Sequence, residues 1–169
     1  MDKNTLIIKM IDAPDTKAQI TEQILAALPD WFGLPDSTRE YIETSRKLPF
    51  WAAFPAVSCG QETESTGTAL GFIVLKETSP DTAEIYVMGI LPEYHRQGIG
   101  RQLFDALRDY AQAQSYSFLQ VKTVQEGHYK EYDQTNAFYK GIGFRELECF
   151  PTLWDEWNPC QILVMAVSR

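Results

Sequence analysis

The hydrophobic pattern changes period several times along this chain, and each change marks an element. Residues 6–10 predict a first strand. Thr16-Lys17-Ala18-Gln19 has the form of a capping box, and Ile20, Ile24, Leu25, Leu28 and Trp31 follow at helical spacing. Gly33 and Pro35 close that helix. Ser37-Thr38-Arg39-Glu40 predicts a second, shorter one. Residues 51–57 and 68–76 read as strands flanking a polar turn over 60–67. A further strand over 81–91 is stopped by Pro92. Ile99, Leu103, Ala106, Leu107 and Tyr110 then mark a helix over 98–115. Residues 118–124 alternate as a strand. Asp133 or Thr135 caps a short helix ending at 141–143, and residues 144–150 and 160–167 form a last pair of strands. The predicted order is β-α-α-β-β-β-α-β-α-β-β, with no repeat or linker.

Composition narrows the class. A chain of 169 residues with 44% hydrophobics suits one domain, residues 1–169, with a sizeable core. Asp2-Lys3-Asn4 runs straight into the first strand, so no leader is read, and no apolar run approaches the ~20 residues of a membrane span. Cys59, Cys149 and Cys160 are an odd set without metal spacing, which fits reduced thiols in a cytoplasmic protein. His95 and His128 stand at no zinc-ligand spacing with them, so no metal is expected. A net charge of −8 argues against a nucleic-acid partner and is consistent with a cationic one.

Candidate chemistry concentrates in Glu93-Tyr94-His95-Arg96-Gln97-Gly98-Ile99-Gly100-Arg101-Gln102-Leu103-Phe104. Two glycines stand where a strand hands over to a helix. That layout suits a pyrophosphate held by backbone amides at a helix N-terminus. A Walker loop would need Lys-Ser/Thr after Gly100, where Arg101-Gln102 stand. A dinucleotide fingerprint would need glycine at Leu103. The remaining match resembles motif A of the GCN5-related N-acetyltransferases (GNAT), Q/R-x-x-G-x-G/A, with His95 at the Q/R position. The predicted order of elements also resembles that fold, a mixed α/β architecture whose central, mostly antiparallel sheet is flanked by helices.

The resemblance implies an acetyl-CoA-dependent transfer of acetyl to a primary amine, by direct attack in a ternary complex. It places acetyl-CoA on His95, Arg96, Gln97, Gly98, Ile99, Gly100 and Arg101. Its pantetheine arm would lie along Met88 and Ile90, where the strand bulges at Gly89. Phe138-Tyr139-Lys140-Gly141-Ile142-Gly143-Phe144 resembles the family's F-Y-x-x-x-G-F segment, so Tyr139 matches the acid that protonates the departing sulfur. The family's asparagine would fall at Tyr132, and Asn136 is the nearest side chain for that contact. Glu84, in Ala83-Glu84-Ile85, matches the position of the family's catalytic base. Trp31, Phe32, Trp154 and Asp155 fall where relatives shape the acceptor site, Trp154 and Asp155 in a loop between the last strands. An aromatic, acidic pocket suits an amine, small or protein-borne. A second copy of the chain is a further admitted partner. The alternative is a non-catalytic acyl-CoA-binding or regulatory module on the same fold.

Overall fold

The computed structural model describes residues 6–59, 62–65 and 67–167. Its elements are β1 (Leu6–Met10), α1 (Pro14–Ala26), α2 (Pro35–Ser45), β2 (Phe50–Cys59), β3 (Glu62–Ser65), β4 (Gly71–Ser79), β5 (Thr82–Ile90), a 3-10 turn (Pro92–Tyr94), α3 (Ile99–Ala113), β6 (Phe118–Val124), α4 (Lys130–Gly141), β7 (Arg145–Asp155) and β8 (Asn158–Ala166). The expected order holds with one strand added. β3 pairs with β2 from Ala56↔Ser65 to Cys59↔Glu62, inside the stretch expected to be a turn. Positions 60, 61 and 66 of that stretch lie outside the described residues.

The residues pack as two compact units, divided after Leu75, Tyr86 and Leu107. In the first, which holds the chain to Leu75 and Val87–Leu107, β1 pairs antiparallel with β2 from Leu6↔Pro55 to Met10↔Trp51. β2 pairs with β4 from Phe50↔Val74 to Ala53↔Gly71, and β4 neighbours β5. Neither predicted capping box forms. α1 starts on Pro14 and α2 on Pro35, with Ala13 and Leu34 as uncapped N-cap residues. Proline serves there because the first turn needs no N–H from it and its φ is already helical.

Two glycines set how closely the layers approach. A Cβ on Gly89 would stand 3.0 Å from both Ile24 and Leu28 of the α1 segment, and 3.3 Å from Phe72. A Cβ on Gly71 would meet Ile90 at 3.0 Å and Leu103 of α3 at 3.3 Å. Adjacent strand residues face opposite ways, so α1 and α3 cover opposite faces of β4–β5. Gly89 was expected to mark a bulge. Its lack of a side chain lets α1 sit close. Phe50 and Phe72, both fully buried, stack at 5.3 Å beneath this contact. Gly89→Val is expected to cost ~1–3 kcal/mol through overpacking. The check is a lower urea midpoint at unchanged m-value.

In the second unit, Lys76–Tyr86 and the described chain from Arg108, the start of β5 pairs parallel with β6. β6 pairs antiparallel with β8 from Phe118↔Ala166 to Val124↔Cys160, and β8 with β7. The β5–β6 ladder has three pairs and ends at Glu84↔Gln120, although both strands continue. The last strands are longer than expected. β7 runs to Asp155 and β8 starts at Asn158, so residues read as a loop form a tight hairpin. α4 also starts early, at Lys130. Neither expected cap serves it, and Asp133 instead accepts the Gly127 N–H at 2.9 Å.

Candidate functional site

The glycine loop of the first unit has the backbone geometry of an anion cradle. Arg96 (φ 61°) and Gly98 (φ 81°) are both left-handed, and α3 begins at the next residue, Ile99. A left-handed residue among right-handed ones turns successive amides towards one point. Gln102 N–H reaches back to Gly98 O at 3.2 Å, so the amides before it have no acceptor within the helix. The first turn of α3 carries no acidic residue. A Cβ on Gly98 would meet nothing within 4 Å, so the space beside the loop is open. These residues fit a pyrophosphate. Left-handed Arg96 is the loop's backbone outlier, at a cost of ~1–2 kcal/mol for a non-glycine residue. No sequence signal announces it.

The loop is anchored by its neighbours. Tyr94 N–H donates to Leu91 O at 2.9 Å, and the Gln97 side chain to Glu93 O at 3.1 Å. His95 Nε2 lies 2.7 Å from Ile90 O at the end of β5. A carbonyl only accepts, so Nε2 carries the hydrogen. The Trp31 ring meets the His95 ring edge-on at 5.9 Å. Met88 and Ile90 are half-buried along β5. Trp31 and Phe32, both expected at the acceptor site, have different ring partners. Phe32 packs edge-on against Tyr41 at 5.8 Å and lines a groove of about 660 Å³ between α1 and α2.

In the second unit Glu84 is buried, 6% exposed, and its Oε2 lies 3.5 Å from Lys122 Nζ. Sequence reasoning missed Lys122. The parallel register Glu84↔Gln120 brings it onto the same face two residues on, and that register is not written in local pattern. Cys160 is buried nearby, and burial pushes its thiol up to about 11 against the pull of Lys122. It is a packed thiol rather than a nucleophile.

Tyr139 is buried on α4 at 5% exposure, its ring edge-on to Phe144 at 5.8 Å. Asn136, also buried, donates Nδ2 to Val124 O and to Tyr132 O, each at 2.9 Å. Its amide nitrogen therefore ties α4 to β6. Trp154 is 45% exposed on β7. Asp155 closes the hairpin: its Oδ1 accepts the N–H groups of Trp157 and Asn158 and the Asn158 side chain, all at 2.9 Å. The Asn158 amide holds the Asp155 carboxyl below its ordinary value, and the two backbone donors add to this. Asp155, expected in a loop at the acceptor site, thus builds the turn of this hairpin.

Comparison with known proteins bears on the loop. Residues 22–144 match the model of the acetyltransferase (GNAT) family. The N-alpha-acetyltransferase RimI of Mycobacterium tuberculosis is 30% identical over 86 residues, 49% of this chain and 49% of that protein. The chain thus spans about half the length of the curated relative it matches. Among solved structures, a GNAT-family protein of Desulfovibrio desulfuricans aligns with a TM-score of 0.76 at 14% identity, over 97% of this chain and 100% of that chain. An aminoglycoside 6'-N-acetyltransferase complexed with coenzyme A gives 0.69 at 15% identity, over 96% of this chain and 98% of that chain. At such identities the two structures establish a shared fold.

Proposed function

The chain belongs to the GNAT acetyltransferase family, and from that premise we propose that it transfers the acetyl group of acetyl-CoA to a primary amine. The observation that carries the reading is the pair of left-handed residues, Arg96 and Gly98, directly before α3. Amides of residues 96–101 hold the pyrophosphate, aided by the positive end of a 15-residue helix. The edge of β5 at Met88 and Ile90 offers backbone groups to the amide-bearing arm of the cosubstrate. The amine nitrogen attacks the thioester carbon, the carbon–sulfur bond breaks, and sulfur leaves as thiolate. Tyr139 gives that thiolate a proton, and Glu84 takes one from the amine, directly or through water. Trp31 and Trp154 are the aromatic side chains proposed for the acceptor. The matched N-alpha-acetyltransferase favours a peptide α-amine among the acceptors to try first.

Glu84 provides a test within this reading. Glu84→Gln removes a carboxylate that sits 3.5 Å from a lysine, so Lys122→Met is measured beside it as a control for the lost ion pair. A base matters most where the amine is protonated. The glutamine variant is expected to lose about 10²-fold at neutral pH and to recover partly at alkaline pH, where free amine is abundant. A pH–rate profile that overlays wild type removes Glu84 from the mechanism.

A further inference from the structure

Within motif A the sequence departs from the family's pattern at His95, and that side chain makes a contact that the motif does not describe. We infer that His95 is a positioning residue. Its Nε2–H bond to Ile90 O fastens the entrance of the glycine loop to the end of β5, and its ring fastens the same point to Trp31. The inference rests on the proposed binding of acetyl-CoA at this loop.

The geometry argues for this role in three steps. His95 is the last residue before left-handed Arg96, so its backbone sets where the unusual stretch begins. Its own φ and ψ, −62° and 150°, are ordinary and extended. The side chain then spans five residues back along the chain to a strand carbonyl at 2.7 Å. This closes a ring around the 3-10 turn Pro92–Tyr94. Without such a closure the turn can swing, and the amides of 96–101 lose their common aim. Trp31 meets the same imidazole edge-on at 5.9 Å, so a tryptophan proposed for the acceptor and a loop proposed for the cosubstrate share one anchor. His95 touches neither reacting atom in this account and acts only through the loop.

Two variants separate the parts of the contact. His95→Phe keeps a ring for Trp31 and loses the donor. His95→Gln restores a donor and loses the ring. With coenzyme A as the titrant in calorimetry, the phenylalanine variant is expected to bind about fivefold more weakly, the size of one lost hydrogen bond. The glutamine variant should bind within about twofold of wild type. In the full assay the phenylalanine variant should raise KM for acetyl-CoA about fivefold and leave kcat and the acceptor KM in place. Amide exchange in the ligand-free protein should be faster over residues 96–100 in His95→Phe than in His95→Gln or wild type. Exchange rates and affinities equal in all three proteins overturn the role, as does a glutamine variant as impaired as the phenylalanine one. A wild-type protein that gives no heat with coenzyme A overturns the cosubstrate reading itself, and the exchange rates then decide whether His95 holds the loop.

Discussion

Gly98→Ala is expected to weaken coenzyme A binding about tenfold, and Gly98→Val at least about a hundredfold. At φ 81° an L-residue pays ~1–2 kcal/mol, and a β-branched one more. Each ~1.4 kcal/mol is a factor of ten. The added Cβ meets nothing within 4 Å, so crowding within the protein is not the cause. The loop has two ways to respond. It keeps its shape and carries the strain, or it relaxes to a right-handed backbone and scatters the amides. Relaxation is easier in an exposed loop, so affinity suffers more than stability. A fall of a few degrees in Tm beside the large loss of affinity is the expected pattern, since ~1 kcal/mol shifts Tm by ~2–4 °C in a chain of this size. A valine variant that binds coenzyme A like wild type would leave the loop as an ordinary turn.

Tyr139→Phe is the second large effect. Phenylalanine keeps the edge-on contact with Phe144, so the variant should fold. Only the hydroxyl is lost. If it protonates the departing thiolate, the loss falls on the chemical step and lowers kcat by ~10²–10⁴-fold, with little change in acetyl-CoA affinity. The assay should use a slow acceptor, so that chemistry rather than product release limits turnover. An unchanged kcat under that condition would make Tyr139 a packing residue of α4, which its 5% exposure alone would explain.

The parts of this molecule that were legible in sequence are those written in local pattern. The glycine pair and the apolar stripe of α3 predicted the strand–loop–helix handover within a residue or two, because both depend on nearest neighbours. The two capping boxes misled. Thr16 and Ser37 have the right residue types, but Pro14 and Pro35 start the helices earlier. β7 was cut short because Pro151 and the acidic pair Asp155-Glu156 look like turn residues. An edge strand tolerates proline, and Asp155 does build the turn, later than expected. β3 has no apolar alternation, and pairing with β2 alone makes it a strand. Long-range register was the least visible. The Lys122 contact with Glu84, the split between Trp31 and Phe32, and the His95 bond to Ile90 all depend on how distant segments pack.

One measurement bears most directly on the central claim. Wild-type protein is incubated with acetyl-CoA and a panel of peptide α-amines and small primary amines, and free coenzyme A thiol and acetylated amine are quantified together. An acetyltransferase gives thiol and acetamide in equal amounts for at least one acceptor, at a rate proportional to protein and abolished in Gly98→Val. Calorimetric binding of acetyl-CoA with no acetylated amine from any acceptor would contradict the claim and point to a binding module on the same fold.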